Sequence, residues 1–198
     1  MTTFRELPFG FSWIQDEAMA RASHALADGG RVWLVDPVDA DGAVERAQGL
    51  GEVAGVVQLL DRHGRDAAAI ATRLGVPHLR LPETLPDTPF EVVPVLGWSK
   101  WTERALWWPA RRTLVVAEAL GTSPWFTVGD EPVGVHVMLR PLPPRSRLGG
   151  FAPEHLLVGH GPPVEGDAAR NGPRRALQGA RRDLPRWLLG VPRLLRAG

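Results

Sequence analysis

Residues 56–82 read VVQLLDRHGRDAAAIATRLGVPHLRLP, and this stretch decides the fold. An apolar run, Val56, Val57, Leu59 and Leu60, stops abruptly at the polar cluster Asp61-Arg62-His63-Gly64-Arg65-Asp66. A helical pattern follows from Ala67 to Leu74, ended by Gly75 and Pro77, and then a second short extended run. Strand, charged turn, helix and strand make a βαβ unit. In such units ligands and metals collect at the loop after the strand's carboxyl end. The chemistry is therefore expected at 61–66.

Upstream, Arg21 to Asp36 reads as a β-hairpin: ASHALA, an Asp28-Gly29-Gly30 turn, then RVWLVD. Asp41 to Leu50 reads as a short helix with Asp41 as its N-cap. Residues 1–20, with Pro8 and Gly10 set among Phe9, Phe11, Trp13 and Ile14, read as an irregular segment lying across the domain. Downstream, 82–90 is a loop by composition, and extended runs follow at 91–96, 104–108 and 113–117. The segment 121–132 is another loop. VGVHVML at 133–139 alternates as a strand, with Val133, Val135, Val137 and Leu139 on one face. A Pro/Arg/Gly segment leads to HLLVGHGPP at 155–163, and 173–196 reads as an arginine-rich helix interrupted by Pro185 and Pro192.

Composition bounds the chemistry. The chain has 198 residues with a 44% hydrophobic share, enough for one good core, so one domain over 1–198 is expected, with a basic and apolar helical tail at about 184–198. Cysteine is absent, which excludes disulfides, thiol nucleophiles and thiolate metal sites and suits a reducing cytoplasm. No secretory signal is visible, and no apolar stretch approaches the roughly 18 residues of a membrane span. A net charge of +1 gives no general pull toward nucleic acid. Glycine-rich nucleotide loops and the Gly-x-Ser-x-Gly elbow are missing. The eight arginines from Arg170 to Arg196 read as a solvated helix face. Leu184, Trp187, Leu188, Val191, Leu194 and Leu195 give that helix an apolar side for docking on the domain or on a second copy, so a homodimer through this segment is one expectation.

Taken together, the landmarks resemble the metallo-β-lactamase superfamily. RVWLVDP resembles the family's early strand, ending here at Asp36, and residues 56–82 resemble its strand, His-x-His-x-Asp-His loop and helix. RRTLVVAEAL resembles the strand that carries a bridging acid, here Glu118, and HLLVGHGPPVEGDA resembles the late Gly-His-Gly loop, giving His160. The resemblance covers roughly residues 20–183. It implies an α/β protein with an αββα sandwich, metal ligands on loops at one edge of two packed sheets, and hydrolysis of a small-molecule substrate.

This chain departs from the family motif. Against His-x-His-x-Asp-His it reads Asp61-Arg62-His63-Gly64-Arg65-Asp66, so only His63 survives in type, and Arg65 replaces the acid that the resemblance assigns to the attacking water. Residues 92–108 contain no counterpart of the family's third histidine. Asp61, His63, Asp66, Glu118 and His160 remain candidate ligands for one divalent cation, of zinc, manganese or iron(II) type. Gly64 allows a tight turn that brings Asp66 back toward His63. Arg65 and Asp66 are the candidate catalytic groups, Arg65 as binder of an oxyanion or of a substrate's anionic group. The competing expectation is a metal-free, inactive binding module in which Asp61, Arg62, Arg65 and Asp66 form an ion-pair network and Asp66 caps the helix. Asp36 reads as a structural acceptor, and His24, His78, His136 and His155 as structural or surface residues. Trp98, Trp101, Trp107 and Trp108 are candidates for an apolar pocket wall.

Overall fold

A computed structural model describes residues 1–63 and 65–197, without the side chains of residues 193, 196 and 197. Gly64, and the turn expected of it, lies outside the described residues.

The first sheet contains β1 (Thr2–Leu7), β2 (Gly10–Gln15), β3 (Ala22–Asp28), β4 (Arg31–Val35), β5 (Glu52–Gln58) and β6 (His78–Arg80), in that order across the sheet. The expected hairpin is β3–β4, antiparallel and closed by Gly29 and Gly30. The expected βαβ unit is β5–α2–β6, with α2 at Ala67–Leu74, and β5 runs parallel to both β4 and β6. Helix α2 stops where the sequence placed its end, because Gly75 takes a left-handed φ of 67°.

Other expectations need correction. Residues 1–20 are not irregular: β1 and β2 pair as a tight antiparallel hairpin, with Leu7 opposite Gly10 across Pro8-Phe9. No Asn-Gly or Asp-Gly signal marks this turn, and Pro8 and Gly10 read as breakers instead. The short helix α1 spans Ala43–Gln48, and Gly42 rather than Asp41 is its N-cap. The run 133–139 is a strand only at Gly134–Val135, and it then coils into a helical turn at Val137–Leu139.

The second sheet orders β13 (Val164–Glu165), β12 (His155–Val158), β9 (Thr113–Val116), β8 (Trp101–Trp108) and β7 (Glu91–Trp98). A two-stranded ribbon pairs β10 (Leu120–Gly121) with β11 (Gly134–Val135). Alternation along β4 sorts the layers. Trp33 and Val35 face the inter-sheet core with Val57, Ala105, Leu114 and Val116. Val32 and Leu34 face outward under α1 and α2, against Ala47, Ile70 and Ala71. The short helix α3 (Arg145–Leu148) and the long helix α4 (Gly166–Ala197) cover the second sheet, where Ala169, Ala176, Leu177 and Ala180 are buried. The result is the αββα sandwich. Helix α4 starts before residue 173 and carries Pro185 and Pro192 inside it without a break. Its far end leaves Leu188, Leu189 and Leu195 exposed. Among the described residues no helix is long and apolar enough to cross a membrane.

Register places the loops that matter. β9 and β12 run parallel with Val116 opposite Val158, so Glu118 and His160, each two residues further on, leave the sheet side by side. A single bridge from Leu60 to Glu103 ties the end of the β5 segment to β8, which brings His63 to the same edge.

Candidate metal centre

His63, Glu118 and His160 meet at this edge, each offering one ligand atom, all within 4.8 Å of one another. His63 Nε2 lies 3.3 Å from His160 Nε2 and 3.9 Å from Glu118 Oε1. The far nitrogens are turned toward acceptors. His160 Nδ1 is 3.1 Å from the Met19 carbonyl, and His63 Nδ1 faces Asp36 Oδ2 at 4.0 Å. A proton on each Nδ1 leaves two Nε2 lone pairs aimed at one another. Two lone pairs at that distance repel unless a cation or a proton lies between them. Ligands on a tetrahedral ion with bonds of about 2 Å sit roughly 3.3 Å apart, so the two Nε2 atoms are spaced for a single cation, with Glu118 within reach of it.

The late loop is built for His160. A Cβ at Gly159 would fall 2.1 Å from the Ala117 carbonyl, and Gly161 takes a φ of 104°. Only glycines fit on both sides. Burial, with His63 and the Arg65 charge nearby, pushes the His160 imidazole down to about 3, so it is neutral and able to ligate at ordinary pH. Ala20, Asp36 and Arg65, three of the non-glycine residues held at positive φ, all border the site. Such strain persists only where surrounding contacts over-determine it.

The charged cluster at 61–66 is used differently from the expectation. Asp61 Oδ2 accepts the Thr102 backbone N–H at 2.8 Å. Asp66 sits at the N-cap of α2, yet its carboxylate accepts the Asp39 N–H at 2.8 Å and makes no capping bond. The structure does not bring either acid into the His63–Glu118–His160 group. Arg65 donates to the carbonyls of Ala22 (2.5 Å), Asp36 (2.8 Å) and Gly159 (2.9 Å), with Nε shut off from solvent. Burial lowers its pKa, opposed by Asp36. This guanidinium braces the backbone under the site. The expected ion pair exists at Arg62 instead, whose Nη2 meets Glu118 Oε2 at 2.7 Å while the guanidinium stacks on Trp101 at 3.9 Å. Asp36 acts as the acceptor expected of it, taking the Leu59 N–H on Oδ1. Burial pushes its carboxyl up, but nearby His63, the Arg65 charge and the Leu59 N–H outweigh this and hold it below its usual range.

Two residues at the site escaped sequence reasoning. His136 Nε2 approaches Glu118 Oε1 at 3.7 Å, and its Nδ1 accepts the Met138 N–H, so Nε2 carries the proton and addresses the carboxylate as a donor. Burial lowers its pKa. Glu103 is fully buried on β8 and accepts the backbone N–H groups of Glu118 and Ala119. A lone imidazole in an apolar run was the only signal for His136. Glu103 had none beyond an acid amid aromatic residues. Of the four tryptophans, Trp101 underlies the site and Trp98 packs edge-on against it, half exposed. Trp108 is core, against Phe9 and Phe90, and Trp107 packs on Phe151.

At the level of sequence, neither a family model nor a curated protein matches the chain. The backbone is similar to solved structures. TMB-1 is 13% identical with a TM-score of 0.61, over 90% of this chain and 98% of that one. The metallo-β-lactamase from Pontibacter korlensis is 12% identical with a TM-score of 0.63, over 93% and 99%. The chemotaxis sensor ODP from T. denticola, in its apo state, is 13% identical with a TM-score of 0.55, over 90% and 94%. At such identities the likeness carries the fold alone, and the fold is that of the metallo-β-lactamases.

Proposed function

We propose that this metallo-β-lactamase-fold chain holds one divalent cation between His63, Glu118 and His160 and hydrolyses an ester, thioester, amide or phosphoester. The observation that carries the reading is the pair of Nε2 atoms facing each other at 3.3 Å, each ring's Nδ1 turned to an acceptor. For His160 the Met19 carbonyl is an outer acceptor in hydrogen-bond range, of the kind that fixes the ligating tautomer of a metal-bound histidine. A cation held there would polarise a substrate oxygen and lower the pKa of a water in its open position to about 7.

The chain's own residues then have distinct tasks. Glu118 offers Oε1 to the cation, while Oε2 stays on Arg62. His136 donates toward the same Oε1 and steadies it. Arg65 holds the carbonyls of Asp36 and Gly159, and so keeps the loops of His63's partner and of His160 in register. Half-exposed beside Glu118, Arg62 is placed to meet a substrate's anionic group, whereas Arg65 is taken up by backbone carbonyls.

One observation favours a second reading, a metal-free binding module. Arg62 already neutralises Glu118, and a proton shared between His63 Nε2 and His160 Nε2, balanced by Asp36, would also relieve the facing lone pairs. The fold hosts a sensor as well as lactamases. Elemental analysis of protein purified without added metal or chelator, repeated on His160→Ala, separates the two. About one equivalent of transition metal, lost in the variant, supports the hydrolase and calls for a screen of ester and phosphoester substrates. No metal in either protein, with stability unchanged by chelator, supports the binding module.

A further inference from the structure

The interval in which the resemblance implies a third ligand histidine holds Glu103 instead. Its carboxylate is fully buried, and among the described residues no cation is bonded to it. Oε1 accepts the N–H groups of Glu118 and Ala119, both at 2.9 Å, and Oε2 accepts the indole N–H of Trp101 at 3.2 Å. Trp101 in turn supports two groups of the site. Arg62 lies over its ring at 3.9 Å, and His136 meets it edge-on at 4.9 Å and 90°. Among the described residues, Arg62 and His136 are the side chains that address Glu118 from outside the ligand set.

A carboxylate taken out of water without a cation is expensive to keep. Burial pushes Glu103 up to about 7 in spite of its three donors. A neutral side chain would fill this place on β8 at lower cost if packing were all that was needed.

We propose that Glu103 is a positioning residue: it pins the backbone at Glu118 and, through Trp101, seats Arg62 and His136, so that Glu118 Oε1 faces His63 and His160. The inference rests on the metal reading of those three residues, and its test is chosen to be separable from that reading.

The full-length protein, stripped with chelator, is titrated with Zn²⁺ as wild type and as Glu103→Gln, and ¹H–¹⁵N and imidazole ¹³C–¹H spectra are recorded before metal is added. Removing an outer partner of a metal ligand costs about tenfold or more in affinity. Glu103→Gln is expected to lose at least that in Zn²⁺ affinity. It is also expected to move the amide signals of Glu118 and Ala119, and with them the Arg62 Nε–H and His136 ring signals, while those of His78 stay in place. Zn²⁺ affinity within twofold of wild type, or changes confined to the two amides, overturns the proposal. If wild type takes no Zn²⁺, the metal reading fails by itself, and the spectra of the metal-free proteins decide the positioning by the same criterion. If Glu103→Gln does not fold, Trp101→Phe replaces it: loss of the indole bond must shift the Arg62 and His136 signals, and unchanged signals overturn the proposal.

Discussion

Arg65 and Glu103 form an inverted pair on either side of the site. Arg65 is a half-buried cation that gathers three carbonyls, those of Ala22, Asp36 and Gly159. Glu103 is a buried carboxyl group that gathers three N–H groups, those of Glu118, Ala119 and Trp101. The first braces the two histidine loops and the second braces the acid. They differ in what they can do about their own charge. A guanidinium stays charged in a protein, whereas a carboxyl that burial has pushed to about 7 is free to take up a proton. The histidine side of the site is therefore held by a permanent charge and the acid side by a conditional one.

The largest expected effect breaks the permanent side. Arg65→Met leaves three buried carbonyls without their donor and should cost about 3–5 kcal/mol of stability, read by urea unfolding. A loss below about 1 kcal/mol would mean that water replaces the guanidinium and that the comparison is wrong.

The conditional side is tested by pH. The folded state keeps the Glu103 proton up to about pH 7, while the unfolded chain releases it near 4.5, so the folded state binds more protons in between and stability falls as pH rises through that window. The full span is about 3 kcal/mol. The stability difference between wild type and Glu103→Gln should therefore move against wild type from pH 5 to pH 8. A difference that stays flat with pH would show that the three donors keep Glu103 ionised throughout and that both braces are permanent.

The smallest effect sharpens the role of the charged loop. Asp66→Asn weakens one charge-assisted bond to the Asp39 N–H and should cost about 1 kcal/mol, with the metal content of the folded protein unchanged. Loss of metal in this variant would return Asp66 to the ligand set.

Legibility followed range. The apolar run at 56–60 and the periodicity of 67–74 are local signals, and β5, α2 and β6 lie where those signals put them. The first hairpin was missed because its turn uses Pro8-Phe9. The alternating run at 133–139 was overread because a helical turn at Val137–Leu139 begins inside it. Asp61, Arg65 and Asp66 looked like site chemistry, since a dense charged cluster after a strand has the same appearance whether it faces a ligand or backbone.

From the amino-acid order alone follow the βαβ unit, the hairpin read at Arg21 to Asp36, the αββα class by resemblance, and the set from which His63, Glu118 and His160 are drawn. Tertiary structure alone decided which members of that set meet. The parallel register of β9 and β12 sets Glu118 beside His160, and the bridge from Leu60 to Glu103 brings His63 to them. It also decided that Arg65 serves backbone and that His136 and Glu103 join the site. The reason is physical. Local sequence encodes periodicity and the ends of elements, whereas a buried charge takes its role from whichever backbone groups the packed sheets leave beside it.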